Sequence, residues 1–192
     1  MVLPILAYGH PLLRQPAEQV LMPVEELQEL IVDMWDTLYN ANGCGLAAPQ
    51  LGRSLRLFLV DSRQTYERMD ENERRQYFDG DEGIRQAFIN PVIRQYSAGE
   101  WTDEEGCLSI PHLQQPVRRP WTIEIDYLDE QGSEKTGRFS GVTARMIQHE
   151  YDHIEGMLYL DRIGSLQRKL LAGKLRRISR GQWPAPYPMK FF

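Results

Sequence analysis

The 192-residue sequence has few cysteines and no long apolar run. Because no stretch reaches about 18 apolar residues, no transmembrane helix and no membrane partner are expected. The two cysteines, Cys44 and Cys107, cannot form a disulfide scaffold, so each is expected to be a metal ligand, a catalytic group or part of the core. Residues 1–10 are apolar but lack the basic segment and cleavage site of a secretion signal. We therefore expect a cytoplasmic protein, with an organelle as the alternative.

Acidic side chains are missing from the C-terminal segment, 162–192. This segment carries eight Lys and Arg and no Asp or Glu, whereas residues 1–161 carry 14 basic and 27 acidic side chains. The asymmetry is typical of a basic tail that contacts a polyanion, although a solvated helix face docked on an acidic body gives the same pattern. The length and the 42% hydrophobic content are those of a globular chain, and we expect one domain over residues 1–192.

Three stretches repeat apolar residues at helical spacing. They predict an N-terminal helix over 23–40, a central helix over 141–155 and a basic helix over 165–180. The basic helix is the first part of a basic and aromatic C-terminal segment, 165–192. Pro23 suits the first turn of the N-terminal helix. Ser140 suits the N-cap of the central helix, and Gly156 suits its end.

Between these helices, several short runs are rich in β-forming residues. They predict strands at 55–61, 86–93 and 123–130, the last paired with 133–139 in a hairpin. The stretch 43–52 is too dense in Gly, Ala and Pro for an ordinary helix or strand, and the charged stretch 62–85 is interpreted as a peripheral excursion with a short helix near 67–78. Short strands with interspersed helices predict an α+β fold, in which antiparallel or mixed sheets pack around the central helix.

The central helix contains the stretch QHEYDH at 148–153. On a helix, His149 and His153 lie one turn apart on the same face, so both imidazoles can bind one metal ion. Glu150 lies about 100° around the helix from His149, where its carboxylate can move a proton without being a ligand. A polar surface helix that binds no metal is the alternative interpretation of this pattern.

A catalytic metal site needs a third protein ligand and an open position. The other histidines are His10 and His112, and few acidic residues follow the central helix. The scarcity of acidic residues after this helix argues against a zinc endopeptidase, which would need a downstream glutamate as its third ligand. We keep the zinc endopeptidase as the alternative function. Cys107, in DEEGCLSIP at 103–111, is the better candidate, because a thiolate with two imidazoles suits Zn or Fe(II). A small buried hydrophobe is the alternative role for this cysteine.

Three motifs, GCGLAAPQ at 43–50, EGCLS at 105–109 and QHEYDH at 148–153, together resemble the peptide deformylase family, in that family's order. The resemblance covers residues 3–180, including the helix before the first motif and the basic helix. It implies a hydrolase that removes the N-formyl group from the formylmethionine of nascent bacterial or organellar polypeptides and releases formate. A non-enzymatic binding module with this fold is a third hypothesis, although every catalytic position of the motifs is filled.

The resemblance also implies the roles of individual residues. It implies one Fe(II) per chain, with Zn, Ni or Co as substitutes, and the ligands Cys107, His149 and His153. Glu150 would be the general acid and base, and the Gln50 amide with the backbone N–H of Leu108 would stabilise the oxyanion. The basic helix would contact the ribosome, whose RNA is a polyanion.

Substrate contacts follow from the same resemblance. Gly45 and Gly106 match positions where the backbone runs against the substrate. Cys44 and Met146 match positions that line the methionine pocket, with core packing as the alternative. Glu105 and Asp152 are the candidates to orient the imidazoles. The segment 62–85 and the tail 181–192 lie outside the shared motifs, and neither their roles nor the oligomeric state can be predicted.

Overall fold

The computed structural model describes residues 1–21, 24–183 and 185–192, so the predicted role of Pro23 lies outside the described residues. The α-helices are α1 (Val24–Asn40), α2 (Arg63–Arg68), α3 (Glu71–Tyr77), α4 (Gly141–Ile154) and α5 (Ser165–Ser179). The strands are β1 (Ile5–Leu6), β2 (Gly45–Ala47), β3 (Leu57–Asp61), β4 (Arg85–Tyr96), β5 (Glu100–Cys107), β6 (Ile110–Pro120), β7 (Thr122–Leu128), β8 (Glu134–Ser140) and β9 (Met189–Lys190). None of the described helices is long and apolar enough to span a membrane.

The strands form three sheets. The largest has the order β2-β3-β4-β7-β8, and its neighbouring strands are antiparallel. β5 and β6 form a separate antiparallel hairpin, and β1 pairs with β9 in parallel. Helices therefore pack on mostly antiparallel sheets, which confirms the predicted α+β fold.

Helix α4 lies in the interior of the fold and positions the candidate metal ligands. Of its 14 residues, 12 are buried, and its apolar positions Ala144 and Ile147 pack against Phe58 and Val60 of β3. Ser140 stands at the predicted N-cap position, but its hydroxyl bonds to Thr122 at 2.9 Å instead of capping the helix. A helix buried on nearly all sides places its polar side chains inside the protein, where they need partners.

Helix α1 covers the other side of the sheet region with the predicted apolar face. Leu27, Ile31, Met34 and Leu38 are all buried and belong to one core cluster with residues of β2, β3 and β4. Acidic residues in the first turn, Glu25 and Glu26, suit the positive end of the helix dipole. The observed span, Val24–Asn40, matches the helix predicted over 23–40.

Several predicted elements differ from the structure. The single helix expected near 67–78 is two helices, because Asp70 accepts hydrogen bonds from the backbone N–H groups of Asn72 and Glu73 and caps a new one. The stretch 43–52 does contain a short strand, β2, followed by a 3-10 turn at Ala48–Leu51. The β5–β6 hairpin is absent from the predictions, because the run of acidic residues in β5 hid its strand character.

Candidate active site

The structure brings Cys107, His149 and His153 together. One ligand atom from each lies within 4.8 Å of the others, and the Cys107 Sγ is 3.3 Å from the His153 Nε2. The histidines come from one face of α4, while the cysteine stands at the end of β5. Among the described residues, this is the one such group of three or more potential ligands, and it contains neither His10 nor His112.

The donor set at this cluster fits a metal ion such as Fe(II) or Zn, because it combines a thiol with two imidazoles. Burial lowers the pKa of His153, which favours the neutral imidazole that binds metals. The Nδ1 of His149 lies 3.0 Å from the Glu105 Oε2, so this histidine offers its Nε2 to the cluster. The three side chains predicted as ligands therefore have a suitable chemistry and arrangement.

Glu105 joins His149 to a buried network of charges. Its carboxylate accepts hydrogen bonds from Arg119 at 2.5 and 2.8 Å and from Arg145 at 2.6 Å. Burial alone would raise the pKa of Glu105, but the bonds from Arg119 and His149 hold it well below its usual range. A charged Glu105 keeps the His149 Nδ1 protonated and fixes the ring orientation.

Asp152, the other candidate to orient an imidazole, is linked to His149 through Arg119 and Glu105. It accepts a hydrogen bond from Arg119 at 2.9 Å and two from Arg162 at 2.6 and 2.5 Å. Arg119 is fully buried between Glu105 and Asp152, so its charge is balanced on both sides. Of the two candidates, Glu105 therefore contacts a histidine. Asp152 binds Arg119, which in turn binds Glu105.

Glu150 is buried beside the cluster and faces the cleft. Its burial raises its pKa to about 7, although the charges of His149 and Arg119 oppose this shift. The Oε2 atom has no hydrogen-bond partner among the described residues. A Cβ atom at Gly45 would lie 2.8 Å from the Glu150 Cδ, so only glycine permits this approach. A carboxyl group with a pKa near neutrality can both accept and donate a proton.

The Gln50 side chain is held in one orientation. Its Oε1 accepts a hydrogen bond from the Ala47 N–H at 2.8 Å, which directs its NH₂ group towards Ser109, 3.2 Å away, and Cys107, 3.6 Å away. Gln50 is buried, and its amide borders the cleft. A donor fixed in this way before reaction suits the stabilisation of an oxyanion.

Leu108 lies between the cysteine of the cluster and the buried Ser109. Its side chain packs at Gly43, where an added Cβ would lie 2.8 Å from the Leu108 Cδ1. Its carbonyl accepts a hydrogen bond from the Tyr187 hydroxyl at 2.8 Å. The next carbonyl, of Ser109, accepts one from the Tyr8 N–H at 2.8 Å. The short turn that follows Cys107 is thus anchored on several sides.

A cleft of about 710 Å³ opens at the cluster. All four predicted substrate-binding residues lie in its wall, and these are Cys44, Gly45, Gly106 and Met146. Burial raises the pKa of the Cys44 thiol to about 12, with a further contribution from the Glu150 carboxylate. The thiol of Cys44 is therefore a neutral wall group at physiological pH.

The cleft wall also includes residues that lie outside the three sequence motifs. Gln64 and Arg68 of α2 line it, as do Pro186 and Tyr187 of the tail. Gln64 donates a hydrogen bond to the Gly43 carbonyl at 2.8 Å, which ties α2 to the first motif. The segment 62–85 is thus more than a peripheral excursion. No local sequence signal marked these contacts, because each depends on chain segments that meet only in the fold.

The sequence matches the family model of polypeptide deformylase over residues 2–169. A peptide deformylase of Christiangramia forsetii is 45% identical over 193 residues, which cover 100% of this chain and 96% of that protein. A peptide deformylase of Cytophaga hutchinsonii is 42% identical, with coverage of 100% and 98%.

Solved structures of similar proteins show the same fold. The peptide deformylase of Ehrlichia chaffeensis superposes with a TM-score of 0.82 at 30% identity and covers 95% of this chain and 99% of its own. That of Legionella pneumophila gives a TM-score of 0.77 at 36% identity, with coverage of 95% and 98%. These matches do not support the zinc endopeptidase alternative. The chain belongs to the peptide deformylase family, enzymes that remove the N-formyl group from nascent peptides.

Proposed function

We propose that this chain hydrolyses the formyl group of N-terminal formylmethionine with one Fe(II) bound by Cys107, His149 and His153. The observation that carries the proposal is the convergence of one thiol and two imidazoles within 4.8 Å, next to the buried Glu150. Zn, Ni and Co suit the same donors, and they are the expected substitutes. A bound metal ion at this cluster supplies Lewis-acid activation of water and of the formyl carbonyl.

Glu150 moves the protons of the reaction. Its carboxylate takes a proton from the attacking water at Oε2, the oxygen without a protein partner. The water oxygen bonds to the formyl carbon, and the C–N bond then breaks as Glu150 delivers the proton to the leaving amine. Formate and a free N-terminus are the products. A pKa of about 7 matches both halves of this task near neutral pH.

Gln50 and Leu108 stabilise the charge that develops on the formyl oxygen. The Gln50 Nε2 is directed to the cysteine side of the cleft because the Ala47 N–H fixes its other end. The Leu108 N–H follows directly on Cys107 and is the second proposed donor. Because neither donor needs to reorganise during the reaction, their contribution to the rate is large.

The cleft walls select the substrate. We assign the methionine side chain to the pocket bordered by Cys44 and Met146, where a protonated thiol and a thioether offer a soft apolar surface. The backbone at Gly45 and Gly106 would run beside the peptide. Nascent formylated polypeptides in the bacterial cytoplasm, or in an organelle, are the proposed substrates.

Helix α5 is the proposed ribosome contact. Its exposed basic side chains include Arg168, Lys169, Arg176 and Arg177, while Leu171, Leu175 and Ile178 face the core. A basic face of this kind binds RNA phosphates in a salt-dependent way. Reversing these four charges should abolish co-sedimentation with ribosomes at low salt. Unchanged co-sedimentation would refute the contact.

Metal analysis of protein purified without oxygen tests the assignment of the ligands. Wild-type protein should hold about one metal ion per chain, since three ligands suffice for a catalytic site. Cys107→Ser should lose most of the metal and nearly all formate release. Full retention of metal by this variant would show that the thiol is not a ligand.

A further inference from the structure

The C-terminal tail, residues 185–192, returns from α5 to the active site. Its strand β9 pairs with β1, so that Met189 lies opposite Ile5. The backbone N–H groups of Ile5 and Ala7 donate to the carbonyls of Pro188 and Lys190, both at 2.9 Å. This pairing fixes the tail next to the N-terminal segment, which is itself buried at Ile5, Leu6 and Ala7.

Tyr187 of the tail reaches the turn that follows Cys107. Its hydroxyl donates a hydrogen bond to the Leu108 carbonyl at 2.8 Å, across 79 positions of sequence. Its ring packs, with the Leu108 side chain, against the core cluster that contains α1. Burial raises the pKa of Tyr187, so its hydroxyl keeps the proton that it donates.

The turn that Tyr187 contacts has two further anchors, both at Ser109. The Tyr8 N–H donates to the Ser109 carbonyl at 2.8 Å, and the Gln50 amide bonds to the Ser109 hydroxyl at 3.2 Å. Tyr8 follows β1, the strand that pairs with β9. The N-terminal strand and the tail therefore hold adjacent carbonyls of one turn as a single unit.

We propose that Tyr187 is a positioning residue, which holds the turn at residues 107–109 so that the Leu108 N–H stays aimed at the formyl oxygen. The inference rests on the proposed role of Leu108 as an oxyanion donor. A fixed carbonyl on one side of the Leu108 Cα restrains the peptide plane on the other side, because only two dihedral angles separate them. Together with Pro186, Tyr187 also forms the tail's part of the cleft wall.

Trp183, which lies between α5 and the tail, also contacts the β5–β6 hairpin. Trp183 stacks on His112, with ring centroids 6.1 Å apart, and Arg177 of α5 lies 5.2 Å from the Trp183 ring. His112 lines the cleft and has a φ of 60°, a backbone conformation that costs energy outside glycine. The C-terminal segment after α5 thus contacts Leu108, in the turn between β5 and β6, and His112, near the start of β6.

Steady-state kinetics of Tyr187→Phe test the proposal, because this change removes the hydroxyl and keeps the ring. We expect kcat for formyl-Met-Ala-Ser to fall roughly 10-fold, less than the 10²–10³-fold typical of a lost oxyanion donor, since the Leu108 N–H is displaced and not removed. KM should stay within about two-fold of wild type, as should the affinity for the product Met-Ala-Ser. Metal content should remain that of the wild type.

Tyr39→Phe is the matched control, because it also deletes a hydroxyl with partners, Asp61 at 2.7 Å and Arg85 at 3.0 Å, and none of these three residues lines the cleft. Its kcat should equal that of the wild type. The proposal is overturned if Tyr187→Phe keeps the wild-type kcat, or if its loss of kcat tracks an equal loss of metal or matches that of Tyr39→Phe. Absence of formate release from wild-type protein would instead refute the proposed function.

Discussion

His149 and Glu105 are 3.0 Å apart, and the carboxylate that holds the histidine is itself held by two arginines. The side chains of His149 and Glu105 are 10% and 5% exposed, so neither charge nor orientation is governed by solvent. The candidate metal ligand is thus connected through Glu105 and Arg119 to Asp152 on its own helix. Each of these charged side chains has an oppositely charged partner, which explains why they can be buried in the interior of the fold around α4.

Glu105→Gln should strongly destabilise the protein. The change leaves the buried Arg119 and Arg145 short of one negative charge, and breaking a buried pair in this way costs about 3–5 kcal/mol. The free energy of unfolding from urea titrations measures the loss. Glu104→Gln, a change at the exposed neighbouring carboxylate, is the control and should have little effect. A loss below about 1 kcal/mol for Glu105→Gln would mean that the network contributes little.

Gly45→Ala should impair the proton transfer without removing the metal. The added Cβ would stand 2.8 Å from the Glu150 Cδ, so the carboxylate must move. Since a displacement of about 1 Å can cost up to 10²-fold in rate, we expect kcat to fall at least roughly 10-fold while metal content is kept. Gly99→Ala, where no atom lies within 4 Å of the added Cβ, serves as the control. Wild-type kcat in Gly45→Ala would argue against the position assigned to Glu150.

Gln50→Glu should lower kcat by about 10²–10³-fold with a small change in KM. The new side chain keeps an oxygen that can accept from the Ala47 N–H, but an oxygen replaces the NH₂ group that faces the cleft. Formate release at saturating substrate, together with metal content, separates lost catalysis from lost metal. If kcat falls by less than about three-fold, the Gln50 amide is not an oxyanion donor.

Cys44 should resist alkylation in the folded protein. A pKa of about 12 leaves a very small thiolate fraction at pH 8, and the thiolate is the reactive form. Mass spectrometry after iodoacetamide treatment distinguishes Cys44 from Cys107 by peptide. Protein unfolded in urea should be labelled rapidly at Cys44, since its thiol pKa then returns to about 8.5. Equally rapid labelling of the folded protein would show that the thiol is ionised.

Much of the site could be predicted because its main part is local. The spacing of His149 and His153 on a helix fixes their common face, and the same helix carries Glu150 between them. Cys107 was identified from its chemistry and its motif, and its position depends on the β5–β6 hairpin. The apolar face of α1 and the β7–β8 hairpin were likewise predictable, since each follows from one periodic segment.

The remainder depends on contacts between distant segments. Arg119 meets Glu105 through the pairing of β5 with β6, a hairpin that the acidic sequence of β5 hid. Tyr187 reaches Leu108 only because β9 pairs with β1. Neither contact produces a periodic pattern or a fixed residue spacing in the sequence. The charge network and the position of the tail therefore could not be predicted from the sequence.

Formate release from formyl-Met-Ala-Ser reports directly on deformylation through Glu150. The protein is purified without oxygen, loaded with Fe(II) and compared with Glu150→Ala at equal metal content. We expect rapid release by the wild type and a rate near background for the variant, because Glu150 is the proposed carrier of the proton. No release by fully metallated wild-type protein would refute the proposed deformylase activity, and undiminished release by Glu150→Ala would refute the role of Glu150.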